Sequence, residues 1–262
     1  MKTNSSVTEP ETPQRAGTGP RFAFFDLDGT LLPWDTQLLF CNHVLRRRGW
    51  RRILLVPFLL LAPLAALRVL RTRAMKRLFL AYLWRITRDD LVALAEEFAA
   101  EVVERHVWPE MRDEVTRNRI EGRLLVLNTA SPAFYAEPIA RRMGFDHCVA
   151  TAVVVPDRMP FIAAIDGPNN KRGAKIDAMR ARGILPPDLA LPAPDSVAYT
   201  DSVADLPLLG CAGTAVLVHP QRDLTARAAE SRTVVVARPE PAVPRGRWLV
   251  AAVGMMFGCW GG

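Results

Sequence analysis

The sequence predicts an α/β fold in which a parallel sheet is sandwiched by helices and a helical cap is inserted after the first strand. Three observations predict it. Residues 22–25, FAFF, are an unbroken apolar run ending in two aspartates, as in a strand buried on both faces. From residue 123 onward, strand-like and helix-like segments alternate. Between these regions residues 36–118 read as helical almost throughout, so that block has to be an insertion.

Taken in order, residues 1–20 are polar, contain Pro10, Pro13 and Pro20, and read as a disordered arm without a secretory signal. The catalytic core is expected over 21–34 and 120–240, the cap over 35–119 and an apolar tail over 241–262. The helical pieces of the cap are TQLLFCNHVLRRR, ILLVPFLLLAPLAAL at 53–67, AMKRLFLAYLWRI and DDLVALAEEFAAEVVERHV. Their charges suit helix ends imperfectly, so no caps are assigned. The 53–67 stretch is uncharged but shorter than the ~20 residues that span a bilayer, and Pro57 and Pro63 interrupt it. RLLVLNTAS at 123–131 is the second strand, and FYAEPIARRMG is a helix. CVATAVVV and FIAAI are short apolar pieces able to pair as strands; KRGAKIDAMRARG at 171–183 is helical and PPDLALPAPD a loop. SVAYT at 196–200 and GTAVLVH at 213–219 are strands, followed by a helix over RDLTARAAE and a last strand TVVVA.

The net charge of +7 on 262 residues fits an acidic partner: nucleic acid, an anionic membrane or a phosphorylated substrate. Cys41, Cys148, Cys211 and Cys259 form no CxxC pair and read as free thiols in a reducing compartment. His43, His106, His147 and His219 form neither HxxxH nor HExxH, which argues against a zinc enzyme.

In an open sheet of this Rossmann-like kind, ligands bind beyond the carboxyl ends of the strands. Asp26 and Asp28 stand there after the first strand, Thr129 ends the second, and Asp201, followed by Asp205, ends a later one. Lys175 lies on the preceding helix. On a continuing strand Asp26 and Asp28 share a face, and their repulsion is costly unless a cation or a proton-transfer role offsets it. Three carboxylates and a lysine suit a highly charged anion with a hard cation. Mg²⁺ accepts Asp26, Asp201, a backbone carbonyl and water. Asp26 can then attack phosphorus, Asp28 can protonate the leaving oxygen and activate water, and Lys175 and Thr129 can hold nonbridging oxygens. Blander readings remain: an acidic solvated turn, a helix cap at Asp201 and Asp205, an exposed Lys175, and a strand-end cap at Thr129.

FDLDGT, LVLNTAS, NKRGAKI and YTDSVADLPLL together resemble, in order, the motifs of the haloacid dehalogenase-like phosphohydrolases. The resemblance covers about residues 22–230, and the helical cap is similar to that of the phosphoserine phosphatase branch. It implies that Asp26 is the nucleophile, that Asp28 is the general acid and base and lends its carbonyl to the metal, and that Thr129 contacts phosphate. It further implies Lys175 in the third motif, Asp201 as a metal ligand, and Asp205 with Ser202 in support. Gly29, Thr30 and Ala130, beside these residues, are expected substrate contacts. Two departures from the pattern, Thr200 in place of glycine and Ala204 in place of a polar residue, bear on metal affinity.

The cap is expected to decide the substrate. Arg46, Arg47, Arg48, Arg51 and Arg52 precede the apolar stretch, Arg68, Arg71 and Arg73 follow it, and Trp50 suits a headgroup boundary. Arg46 and Arg51 are the expected lipid-phosphate contacts. DLDGTL, the arginine-leucine-proline cap, NTASP and YTDSVADLPLL also resemble bacterial phosphatidylglycerophosphatase of the C type. That resemblance implies a lipid phosphate substrate and a cytoplasmic protein, peripheral on the inner face of the membrane. The alternatives are a soluble phosphatase of the phosphoserine type, for which Glu110 and Glu114 are the available cap carboxylates, and a non-catalytic anion- or membrane-binding protein. Nucleic acid is not an expected partner, because the arginines flank leucines instead of alternating with stacking aromatics.

Overall fold

In the computed structural model of the chain, residues 19–66, 72–220, 224 and 234–237 are described. The strands are β1 Phe22–Phe25, β2 Leu124–Pro132, β3 His147–Thr151, β4 Ala193–Thr200, β5 Ala212–Val218 and β6 Val234–Ala237. They form one parallel sheet in the order β3-β2-β1-β4-β5-β6. The chain runs from β1 out to β3 on one side and returns to β4 on the other. The switch point of the topology therefore lies between β1 and β4, where a crevice opens at their carboxyl ends.

β1 shows why its apolar run does not alternate. Ala23 and Phe25 belong to the core on one face of the sheet, and Phe22 and Phe24 to the core on the other. Phe25 stacks on its cross-strand partner Tyr199 at 4.3 Å between ring centroids. The first face is covered by α5 Pro109–Ile120 and α6 Ala133–Met143, and the second by α7 Ala174–Ala181 and α8 Leu206–Leu209. Gly144 ends α6 at φ 75°, a left-handed cap that suits glycine.

Between β1 and β2 come α1 Thr36–Arg47, a 3₁₀ helix Gly49–Leu55, α2 Val56–Ala66, α3 Thr72–Phe79, a 3₁₀ turn Leu80–Leu83, α4 Arg88–Arg105 and then α5. Caps absent from the sequence reading are present: Asp35 accepts from Gln37 N and Leu38 N, and Thr87 accepts from Asp90 N. α5 packs on the sheet, with Asn118 Nδ2 donating to the Tyr199 hydroxyl at 2.8 Å. FIAAI does not form a strand. Residues 152–154 and 164–166 pair antiparallel through one bridge and two backbone hydrogen bonds, too short a contact for a ladder. The arm at 1–18, most of RDLTARAAE and the apolar tail lie outside the described residues.

Candidate active site

The switch point gathers the sequence-predicted carboxylates. Asp26 leaves β1 with its amide still bonded to the Tyr199 carbonyl of β4, which fixes its direction. Lys175 on α7 is 2% exposed and places Nζ 2.7 Å from Asp26 Oδ1 and 2.9 Å from Asp205 Oδ1. A buried ammonium persists only where paired. Burial alone would lower the Lys175 pKa, but Asp26 and Asp205 outweigh it and raise it. Burial pushes Asp26 up to about 8, against the attraction of Lys175 and with repulsion from Asp205 and Asp201. Asp201 is pushed up to about 7 by burial and by Asp205.

The departure at Thr200 has a structural use: its hydroxyl donates to Asp205 Oδ2 at 3.0 Å and accepts from Ser202 N at 3.1 Å. Ser202 in turn accepts from Ala204 N and caps the short 3₁₀ turn Val203–Asp205. Thr30 is fully buried, and its hydroxyl accepts from Asp201 N at 3.1 Å, so it orients the acidic loop. Gly29 has φ +80°, and a Cβ there would lie 2.5 Å from Asp201 Oδ2. Only glycine lets that carboxylate approach the backbone after Asp28.

Asp28 is held at both oxygens. Thr36 N donates to Oδ1 at 2.7 Å and Ser131 Oγ to Oδ2 at 2.6 Å. Ser131 and Thr36 hydroxyls lie 2.9 Å apart, and Tyr135 stands next at 3.4 Å. Because a hydroxyl both donates and accepts, this chain can reverse to suit either protonation state of Asp28. Thr129 is fully buried and its hydroxyl accepts from Ser131 N at 3.0 Å. Asn170 Nδ2 faces Asn128 Oδ1, the Thr129 carbonyl and the Val149 carbonyl at 2.8–2.9 Å, stapling the loop before α7 to the ends of β2 and β3. The Ala130 carbonyl accepts from Lys76 Nζ of α3 at 2.5 Å, and Lys76 also donates to Asn169 Oδ1 at 2.9 Å.

Thr36, Ser131, Lys76, Asn169 and Asn170 went unnoticed in the sequence reading. Ser131 alone carried a usable signal, two residues after Thr129 on the same strand face. The two cap arginines lie elsewhere. Arg51 is 3% exposed and donates to the carbonyls of Tyr82 and Trp84, so its guanidinium is committed to holding the cap together. Arg46 lies 4.0 Å from Glu101 and lines a cavity of about 430 Å³ between α1 and α4, whose walls include none of the acidic site residues. Glu114 accepts from the Tyr199 hydroxyl at 2.6 Å and pairs with Arg117, so its carboxylate is engaged on α5 and the sheet.

The donor set suits a hard cation. Asp26 and Asp201 are raised carboxyls in mutual repulsion, beside the backbone that Gly29 leaves open. Among the described residues no group of three or more His, Cys, Asp or Glu side chains forms a metal cage.

A parallel sheet with buried carboxylates at its switch point and an inserted helical cap above them is the architecture of a capped α/β hydrolase. Residues 23–210 match the haloacid dehalogenase-like hydrolase family, and the chain belongs to it. A probable phosphatase of Mycobacterium tuberculosis is 28% identical over 253 residues, covering 92% of this chain and 83% of that protein. A phosphoserine phosphatase of the same organism is 28% identical over 214 residues, covering 79% and 68%. The crystal structure of a Bordetella pertussis protein of unknown function superposes with a TM-score of 0.66 at 26% identity, covering 83% of this chain and 99% of that one.

Proposed function

We propose that the chain is a Mg²⁺-dependent phosphomonoester hydrolase working through an aspartyl phosphate. The observation that carries this reading is the state of Asp26. Lys175 holds its Oδ1, while no described residue hydrogen-bonds its Oδ2, which leaves one oxygen free to attack. In the reaction Asp26 Oδ2 bonds to phosphorus, the bond from phosphorus to the ester oxygen breaks, and Asp28 gives that oxygen its proton. Asp28 then takes a proton from water, whose oxygen displaces Asp26 from phosphorus and releases phosphate. Lys175 and Thr129 offset charge on the nonbridging oxygens. Mg²⁺ held by Asp26, Asp201 and the Asp28 carbonyl would neutralise further charge on the transferring group.

For the substrate we favour a membrane lipid phosphate such as phosphatidylglycerophosphate, met by a chain that lies on the cytoplasmic membrane surface. The support is the outer face of the cap. Trp50, Ile53, Val56, Leu60 and Leu64 are 59%, 67%, 44%, 72% and 41% exposed, at helical spacing along the 3₁₀ helix and α2. Arg46, Arg47 and Arg48 precede it in the chain with partly exposed side chains, each ion-paired with a carboxylate of α4. An apolar face preceded by basic residues fits an anionic interface. Among the described residues no helix is long and apolar enough to cross a membrane. The second reading, a phosphatase of a small soluble ester, draws on the named relative that acts on phosphoserine.

The deciding experiment is Mg²⁺-dependent phosphate release from phosphatidylglycerophosphate in mixed micelles and, in parallel, from phosphoserine, with Asp26→Asn as control. Release from the lipid alone supports the first reading, and release from phosphoserine alone the second. No release from either counts against both of these substrates and leaves the site chemistry to another phosphomonoester.

A further inference from the structure

We infer that the cavity between α1 and α4 is a second binding site, separate from the catalytic edge, and that it takes a small carboxylate with an apolar body. Such a site stands whether or not the chain hydrolyses phosphate esters.

Two helix stripes make the cavity. Leu39, Asn42, His43 and Arg46 follow one another at helical spacing on α1, as Phe98, Glu101 and Arg105 do on α4. With Trp34 and His106 they border about 430 Å³, within the roughly 300–1,000 Å³ of small-molecule pockets. None of Asp26, Asp28, Lys175 and Asp201 lines it.

The polar lining does not satisfy itself. Glu101 Oε2 accepts from His43 Nδ1 at 2.8 Å, and its Oε1 lies 4.0 Å from Arg46. Arg47 donates to His43 Nε2 at 2.9 Å, and a guanidinium can only donate, so His43 is neutral with its proton on Nδ1. Two guanidiniums, Arg46 and Arg105, are thus set against the single carboxylate of Glu101, which leaves one positive charge in excess. Burial lowers the pKa of His106, Glu101 opposes this, and Arg105 and Arg46 lower it further, so these groups share one field. Asn42 is only 8% exposed, yet among the described residues its carboxamide has no hydrogen-bond partner. A buried amide left so is costly.

These leftovers define the occupant. The excess charge suits a monoanion, and guanidiniums match the planar fork of a carboxylate. The Asn42 carboxamide supplies a further donor to the same group. Trp34, Leu39 and Phe98 leave an apolar side for the body of the molecule. Inorganic phosphate would leave that side uncovered, and an amine would meet the positive charge.

The probe is 3-phenylpropionate, titrated against the full chain and followed by proton NMR, beside its neutral amide. The acid should bind with Kd below about 1 mM and the amide about tenfold or more weakly. Arg105→Met should weaken the acid by about tenfold and bring it toward the amide. Asn42→Ala should weaken it by about three- to tenfold. Arg105 is exposed, so its replacement leaves the fold intact, and it decides alone if Asn42→Ala does not fold. Asp26→Asn and saturating inorganic phosphate should both leave the affinity unchanged. Equal affinity for acid and amide, an acid affinity unchanged in either cavity variant, or no binding at about 10 mM overturns the inference. Displacement by phosphate overturns it too, since the probe would then sit at the catalytic edge.

Discussion

At the carboxyl edge of the sheet Asp26, Lys175 and Asp205 are 8%, 2% and 3% exposed, whereas on the outer face of the cap Ile53 and Leu60 are 67% and 72% exposed. Charge is inside in one region and apolar surface outside in the other. Lys175 satisfies part of the buried charge by pairing with Asp26 and Asp205, and the excess of carboxylate that remains is what a cation would offset. The exposed side chains are unsatisfied, since covering each would be favourable by about 1.5–3 kcal/mol. The two regions therefore answer different questions, the first about reaction and the second about partner.

The largest effect belongs to the edge. Asp26→Asn removes the attacking oxygen and should lower kcat by about 10⁴-fold or more, with secondary structure by circular dichroism retained. Retention of more than a few per cent of activity would show that the nucleophile lies elsewhere. The same carboxyls predict a pH effect in metal-free protein. Asp26 and Asp201 bind their protons more tightly folded, at about 8 and about 7, than at the ordinary 3.8. For an acid raised on folding, stability falls as pH rises from about 4 to about 8. In EDTA, Tm should drop by several degrees over that window, less steeply in Asp201→Asn, and Mg²⁺ should restore most of the loss at pH 8. A flat profile would mean that the edge tolerates its charge without a cation.

Next is Gly29→Ala. The added Cβ would meet Asp201 Oδ2 at 2.5 Å, and φ +80° strains any non-glycine residue. We expect about a 100-fold loss in kcat/KM, as follows from moving a site group by about 1 Å, together with weaker Mg²⁺ binding by calorimetry. Unaltered metal affinity would detach Asp201 from the cation.

The edge was also the legible region, for a physical reason. A fully apolar strand followed by Asp26 and Asp28 has few explanations other than a cation-linked site, and parallel topology then brings Asp201 beside it whatever the loops do. What escaped was what side chains do across distances that sequence does not encode. Ser131 and Thr36 meet at Asp28 from elements 95 residues apart, and Lys76 reaches Asn169 over 93 residues. Arg51 misled for the opposite reason. An arginine in a basic run reads as a surface charge, yet the 3₁₀ helix turns it inward to two carbonyls.

Arg51 tests where the cap stops being surface. Arg51→Met keeps the apolar stem but leaves the Tyr82 and Trp84 carbonyls without their donor, at a cost of about 2–3 kcal/mol. The expected outcome is a lower Tm with KM unchanged at temperatures where the variant is folded. A raised KM without loss of stability would return Arg51 to the substrate.

The smallest effect decides the partner. Leu60 is the most exposed of the cap's large apolar residues among those described, so Leu60→Ser should leave the free energy of urea unfolding within about 0.5 kcal/mol of the wild type. If α2 docks on lipid, the same change removes roughly three buried carbons and should weaken sedimentation with anionic vesicles by about tenfold or more. Vesicles of neutral lipid separate the two components of that binding, because the arginines that precede the apolar face contribute only where the surface is negative. Equal binding by wild type and Leu60→Ser would leave the apolar face to another protein, and the edge chemistry would stand unchanged beneath a cap with a different partner.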